Sequence, residues 1–332
     1  MATLSSNALT LADHAKRLDP DGKTPKIVEL LSQTNEILDD MIFMEGNLPT
    51  GHRNTVRVGL PNVYWRLLNQ GVQPSKSNTA QIDEQCGIME AWSEVDQKVA
   101  ELNGNVNTFR LSEASAFIEA MNQEMASTLF YGNSSTAPEE FNGLSVRFAD
   151  LSADNAENII AGGGSGADNS SIWLINWGAQ TCSGIFPKGS MAGLKHEDLG
   201  LQTVQTSTDV AGARLRAYQD HFTWDVGLNL KDWRHVVRIP NIDISNLVSK
   251  SSAADLIDLM IKAIHRIPNL NAGRPVFYMN RTLIQMLDIQ RRDDMVGSAL
   301  TYMDIDGKLI PHFRGIPVKK CDSLLESEAL VS

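Results

Sequence analysis

His196, Glu197 and Asp198 place an imidazole beside two carboxylates, the groups that general acid–base chemistry uses. Three consecutive residues cannot converge on a substrate as groups from separate elements do, so the run is weak as a catalytic centre. Gly162, Gly164 and Ala167 fit GxGxxA, a dinucleotide-binding pattern. That pattern needs a buried strand before it and a helix after it, so that a pyrophosphate meets a helix N-terminus. Here a β-type segment follows, and Ala161 to Ser171 reads as a flexible connector. No GxxxxGK[ST] phosphate loop occurs, and no GxSxG elbow, since Ser165 is followed by Gly166 and Ala167. Asp304–Ile305–Asp306–Gly307 resembles a fragment of a calcium loop but lacks the further acidic position and the closing glutamate. The run Arg291–Arg292–Asp293–Asp294 is a charge-balanced helix surface.

Cys86, Cys182 and Cys321 are far apart, odd in number and without a CxxC or a nearby histidine pair. They read as free thiols in a reducing compartment. The seven histidines show no metal-ligand spacing. Sequons at Asn133, Asn169 and Asn280 are idle without a secretory signal, and the N-terminal residues form no continuous apolar segment of that kind. No run of about 18 apolar residues exists to span a bilayer. The expectation is a protein made inside the cell, with no catalytic, cofactor-binding or metal-binding residue assigned, no cofactor and no membrane. A net charge of −11 opposes nonspecific nucleic-acid binding. It does not oppose surrounding nucleic acid without gripping it.

The elements that would carry such residues are those of an ordered protein. The chain has 332 residues, 42% hydrophobic and 21% charged, enough for two compact units. Residues 1–40 read as a polar arm broken by Pro20 and Pro25, with a short helix carrying Ile27, Leu30, Leu31, Thr34 and Ile37. Gly46 to Glu90 reads as two extended arms, the first running through Val63–Leu68, joined by the polar tip QPSKSNTA. Tyr64, Trp65, Leu67 and Leu68 on such an excursion would form an exposed apolar patch unless a partner covers them. Helices are expected over 94–102 and over 112–131, the second capped by Ser112, faced by Phe117, Met121 and Met125, and ended by Gly132. Leu144 to Ile244 is mostly β, with alternation in Ser171–Trp177 and in Phe222–Leu230. An α/β stretch follows: a helix with Ala254, Ile257, Ile261 and Ile264, a strand Pro275–Met279, a helix capped by Asn280, and a hairpin turning at Asp306–Gly307. The six tryptophans all fall in extended segments, suited to packing strands against a helix or a neighbouring subunit.

Several stretches together resemble the major capsid proteins of tailed bacteriophages, in particular the short-tailed group with the Hong Kong 97-type shell fold. They are EEFNGL (Glu139 to Leu144), SIWLINWGAQTCSGIFPKGSMAGLKHEDLG (Ser171 to Gly200), AYQDHFTWDVGLNLKDWRHVVRIPNID (Ala217 to Asp243), RPVFYMNRTLIQML (Arg274 to Leu287) and HFRGIPVKKCDSLL (His312 to Leu325). The resemblance implies an α+β fold with an N-terminal arm (1–45), an extended E-loop (46–93), a peripheral or P domain (94–245) containing a spine helix (112–131), and an axial or A domain (246–332). It implies a non-enzymatic protein that self-assembles into the hexamers and pentamers of an icosahedral shell, enclosing double-stranded DNA without sequence-specific binding. The implied partners are further copies of the chain, a scaffolding protein, a portal protein and a cement or decoration protein, with assembly in the host bacterial cytoplasm. The alternatives are another phage structural protein, such as a decoration or tail-tube protein, and an enzyme using His196 or the Gly-rich loop. A mostly β tail-tube protein would lack the long helix and the C-terminal α/β unit.

Overall fold

The computed structural model describes residues 32–102, 105–205, 214–250, 253–293, 300–305 and 308–332. In chain order they form α1 (Ile37–Asp40), β1 (Phe43–Glu45), β2 (Gly51–Gly59), β3 (Asn78–Asp96), α2 (Gln97–Glu101), α3 (Val106–Tyr131) and α4 (Leu144–Arg147). Then come β4 (Asn169–Trp177), β5 (Cys182–Phe186), β6 (Lys195–Gln205), β7 (Arg214–Leu230), β8 (Val236–Asp243), α5 (Ile244–Ser249) and α6 (Leu256–Arg266). The last elements are β9 (Arg274–Met279), α7 (Arg281–Asp293), β10 (Leu300–Ile305), β11 (Lys308–Phe313) and β12 (Ile316–Lys320). One mixed sheet runs in the order β10-β11-β12-β9-β4-β5-β7-β3-β2, with β1 on β5, β6 on β7 and β8 on β4.

The alternation in β4 separates two cores rather than core from solvent. Trp173, Ile175 and Trp177 pack with Met125, Leu129 and Phe130 of α3. Ile172 and Leu174, on the other face, pack with α5, α6 and α7. All nine β4 residues are therefore buried.

The long helix begins earlier than Ser112. Asn105 caps it by accepting the Thr108 N–H (3.2 Å), and Ser112 lies inside, its carbonyl accepting the Ser115 hydroxyl. The 26 residues span about 39 Å. Gly132 ends the helix as expected, and a Cβ there would sit 2.5 Å from the Phe141 carbonyl oxygen. The helix expected over 94–102 is shorter, because β3 carries Val95 and Ser93 inward at a two-residue period as far as Asp96. Asp96 then caps α2 through the Lys98 N–H (2.7 Å).

Three further expectations need correction. The early helix does not hold over its described part: Asn35 forms an isolated bridge with Cys321, and helix starts only at Ile37. Residues 27–31 of that expectation lie outside the described residues. The first hairpin arm does not remain a strand through Val63–Leu68. Pairing stops at Gly59 opposite Asn78, and Pro61 and Pro74 cannot donate to a ladder. The Gly-rich connector is docked rather than free. Gly162 N–H donates to the Pro240 carbonyl (2.8 Å) and Gly164 N–H to that of Asn241 (2.7 Å).

In the last third, α6 starts behind an Asp255 cap and Asn280 caps α7 through the Thr282 N–H (3.0 Å). β10 and β11 pair antiparallel with Ile305 opposite Lys308, which is the expected hairpin. Asp306 and Gly307 themselves lie outside the described residues, as do Asp294 and the side chains of Arg291, Arg292 and Asp293.

Candidate assembly surface

β3 is 19 residues long and serves two structures. Its second half, Cys86–Asp96, pairs with β7 inside the sheet. Its first half pairs only with β2, over Gly51↔Gln85 to Gly59↔Asn78, and leaves the body as a two-stranded ribbon. Beyond the ribbon, Leu60 to Ser77 carries almost nothing against its own chain. Val63 is 90% exposed, Leu68 88%, and Trp65 completely. Leu60, Tyr64, Leu67 and Val72 are exposed as well. This is the apolar patch that the sequence pattern foretold. An isolated ribbon of this kind is marginal in water, so packing must come from elsewhere.

The root of the ribbon is polar and closely fitted. Arg147 of α4 donates through both Nη atoms to the two carboxylate oxygens of Glu84 (2.6 Å each) and also to the Asn142 carbonyl (3.1 Å). Glu84 is buried. Asn54 Nδ2 donates to Asn229 Oδ1 across to β7 (2.5 Å). A Cβ on Gly51 would meet the Glu84 carbonyl oxygen at 1.9 Å, so only glycine permits this approach. The EEFNGL segment supplies the other side of the fit. Phe141 and Leu144 are buried in the core, and Asn142 Oδ1 accepts from the Ser134 N–H (3.0 Å). The ribbon's angle to the body is thus fixed by an ion pair and by close backbone contact.

Two of the acid–base candidates, His196 and Asp198, are drawn into a clamp with Arg110 and Asp220. Arg110 of α3 donates to Asp198 (2.5 Å) and to buried Asp220 (2.8 Å), while His196 Nε2 lies 3.0 Å from Asp220 and its ring stacks on Phe222. The Arg110 hydrogen bond holds the Asp198 carboxyl below the usual carboxylate range. Glu197 faces Lys195 instead. A second clamp had no local signal. Buried Glu328 accepts from Arg238 Nη2 (2.8 Å), from the Tyr131 hydroxyl (2.5 Å) and from the Ser171 hydroxyl. The Arg238 guanidinium lies over the Trp173 ring.

Of the GxGxxA residues, Gly162 and Gly164 lie against β8, and a Cβ on either would come within 3 Å of the Asn241 carbonyl oxygen. Burial pushes the Cys86 thiol up to about 11 and those of Cys182 and Cys321 up to about 12. Among the described residues, no group of three His, Cys, Asp or Glu side chains is placed to hold a metal ion, and no helix is long and apolar enough to cross a membrane. The tryptophans divide by role. Trp173 and Trp177 are core, Trp92 stacks on His221 at the surface, Trp65 is at the ribbon tip, and Trp233 sits in a 3-10 turn rather than a strand.

A family model described as "Major capsid protein GP7" matches residues 19–332. The cryo-EM structure of bacteriophage Epsilon15 contains a chain 33% identical to this one, covering 100% of this chain and 99% of that chain with a TM-score of 0.79. More distant likenesses are the bacteriophage JBD30 capsid (10% identity, 89% and 93% coverage, TM-score 0.48) and the capsid of a native GTA particle (9% identity, 71% and 99% coverage, TM-score 0.45). No curated protein matches the sequence.

Proposed function

The chain belongs to the major capsid protein GP7 family, a structural protein of the phage shell with the Hong Kong 97-like fold and not an enzyme, and from that premise we propose how its parts divide the work of assembly. The ribbon and tip, within residues 46–93, act as an E-loop that lies across a neighbouring copy. α3 acts as the spine of a peripheral domain spanning 94–245, and residues 246–332 form an axial domain clustered around hexamer and pentamer axes. Residues 1–45 act as an arm.

The observation that carries this reading is the exposed tip. Burying a tryptophan or leucine side chain contributes about 1.5–3 kcal/mol. In a symmetric shell the same gain recurs at every copy of the contact. A tip that packs against nothing of its own therefore stabilises the particle and not the subunit. Trp65→Ala combined with Leu67→Ala should leave the denaturant midpoint of isolated subunits unchanged and lower the melting temperature of shells. Shells of the double variant that melt like the parent shells would refute the reading.

The remaining partners belong to the same proposal. Hexamers and pentamers close an icosahedral shell around double-stranded DNA, which the acidic chain surrounds without sequence-specific contacts. A scaffolding protein directs assembly in the host cytoplasm, a portal occupies one vertex, and a cement or decoration protein binds the finished surface.

A further inference from the structure

Charge is distributed along this chain very unevenly. From Gly46 to Ile82 there are four cations, Arg53, Arg57, Arg66 and Lys76, and no Asp or Glu at all. The −11 of the whole chain therefore divides into +4 on the projecting segment and −15 on everything else. Arg53 is spent on Asp83 (2.6 Å) at the ribbon surface. Arg57, Arg66 and Lys76 are exposed and have no carboxylate partner among the described residues. Arg66 stands directly among the exposed apolar side chains of Trp65, Leu67 and Leu68.

The body carries a groove of the opposite character. It lies between β3 and the C-terminal half of α3, has a volume of about 260 Å³, and has Ile88, Met125 and Phe141 among its apolar walls. Glu124, Glu139 and Glu140 line it too. Glu140 accepts weakly from the Asn133 N–H (3.4 Å), and the carboxylates of Glu124 and Glu139 have no partner among the described residues. Ile88 is 66% exposed at the groove.

We propose that this acidic, apolar groove receives the Trp65–Arg66–Leu67 tip of a second copy, with Arg66 set among the carboxylates. The proposal rests on the reading that the ribbon lies across a neighbouring subunit, and adds to it the seat and the polarity of the contact. The chain's own tip cannot fill the groove. Ten residue steps of continuous strand lead from Asn78 at the ribbon's end to Ile88, about 33 Å of extended chain, and the tip projects beyond that. Apolar contact gives the seat its area. The cation among acids fixes register, since a like-charged tip is repelled and an uncharged one leaves the carboxylates crowded.

A charge exchange in the full chain tests the seat. The variants are Arg66→Glu, the pair Glu124→Lys with Glu139→Lys, and all three together. Readouts are the yield of shell-sized particles by sedimentation, their DNA content, and the denaturant midpoint of isolated subunits. The one-sided variants should lose particles with unchanged subunit midpoints, and the triple variant should recover them. A triple variant no better than the one-sided ones overturns the seat. If Trp65→Ala with Leu67→Ala still weakens shells in that case, the tip docks elsewhere on a neighbour and only the seat falls. If that double variant is also silent, the underlying reading falls with it. An Arg66→Glu variant that assembles normally but retains less DNA assigns the cation to phosphate and also overturns the proposal.

Discussion

Arg147 meets Glu84 with both arms of its guanidinium at a site where little water can compensate a missing partner. Arg147→Ala leaves a buried carboxylate alone and should cost the isolated subunit about 3–5 kcal/mol, read from denaturant unfolding. Hydrogen exchange should show the loss first in β2 and the outer half of β3. The three cysteines make a second prediction at this scale. With thiols pushed up to about 11 or 12 by burial, a soluble thiol reagent near neutral pH should label none of them quickly in the folded subunit and all three after unfolding. Free thiols were legible from their spacing. The Glu84–Arg147 pair was not: its members are 63 residues apart, and nothing local marks a charge whose partner arrives through tertiary structure. EEFNGL was visible as a phrase, but its work of shaping the ribbon's root only appears once α3, α4 and β3 are in place.

Elements were legible where periodicity was long and strong, and their ends were not. The helix through Phe117, Met121 and Met125 was plain, yet Ser112 was mistaken for its start because Asn105, an equally good cap, precedes a stretch whose apolar pattern is weak. Asn105→Ala should destabilise the subunit by about 1 kcal/mol. Ser112→Ala, inside the helix, should be neutral or slightly stabilising because alanine is the better helix former. Urea midpoints of the two variants decide between the two starts. The Gly-rich segment teaches a different lesson. Composition alone suggested freedom, whereas Gly162 and Gly164 are glycines because a strand edge passes too close for a Cβ. Gly164→Ala should cost about 1–3 kcal/mol through that clash. At Gly163 the space is open and only the positive φ of 85° resists a side chain, so Gly163→Ala should cost less.

For the molecule as a whole, the order of projecting ribbon, long helix, β-rich middle and α/β end was readable, while the joining of the described strands into one sheet was not. Pairs such as Val318↔Phe277 and Cys86↔Gly227 are set by the global path of the chain and leave no trace in a short window. Acid response is also a property of the whole. Burial lowers the pKa of His52 and of His235, so the unfolded chain binds protons that the folded chain refuses. Stability should therefore begin to fall as pH drops below about 6.5. Asp83, Asp150, Asp168 and Asp198 are held below the usual carboxylate range by hydrogen bonds from Arg53, Ser152, Ser245 and Arg110, respectively. Their contribution is fully present above about pH 4 and is lost as pH falls through the depressed values. Subunit denaturant midpoints should decline first below about pH 6.5 and again below about pH 4, and His52→Gln with His235→Gln should flatten only the first decline. The unbroken course of β3 from ribbon to sheet has a mechanical consequence. Ladder hydrogen bonds lie perpendicular to the strands, so a pull on the tip along the strand axis loads the pairing from Cys86 to Asp96 in shear. Shear shares the force over the whole ladder at once, whereas peeling would break one bond after another. If the tips dock on neighbouring copies as proposed, an expanding shell would load each ribbon in the direction in which the subunit is hardest to tear.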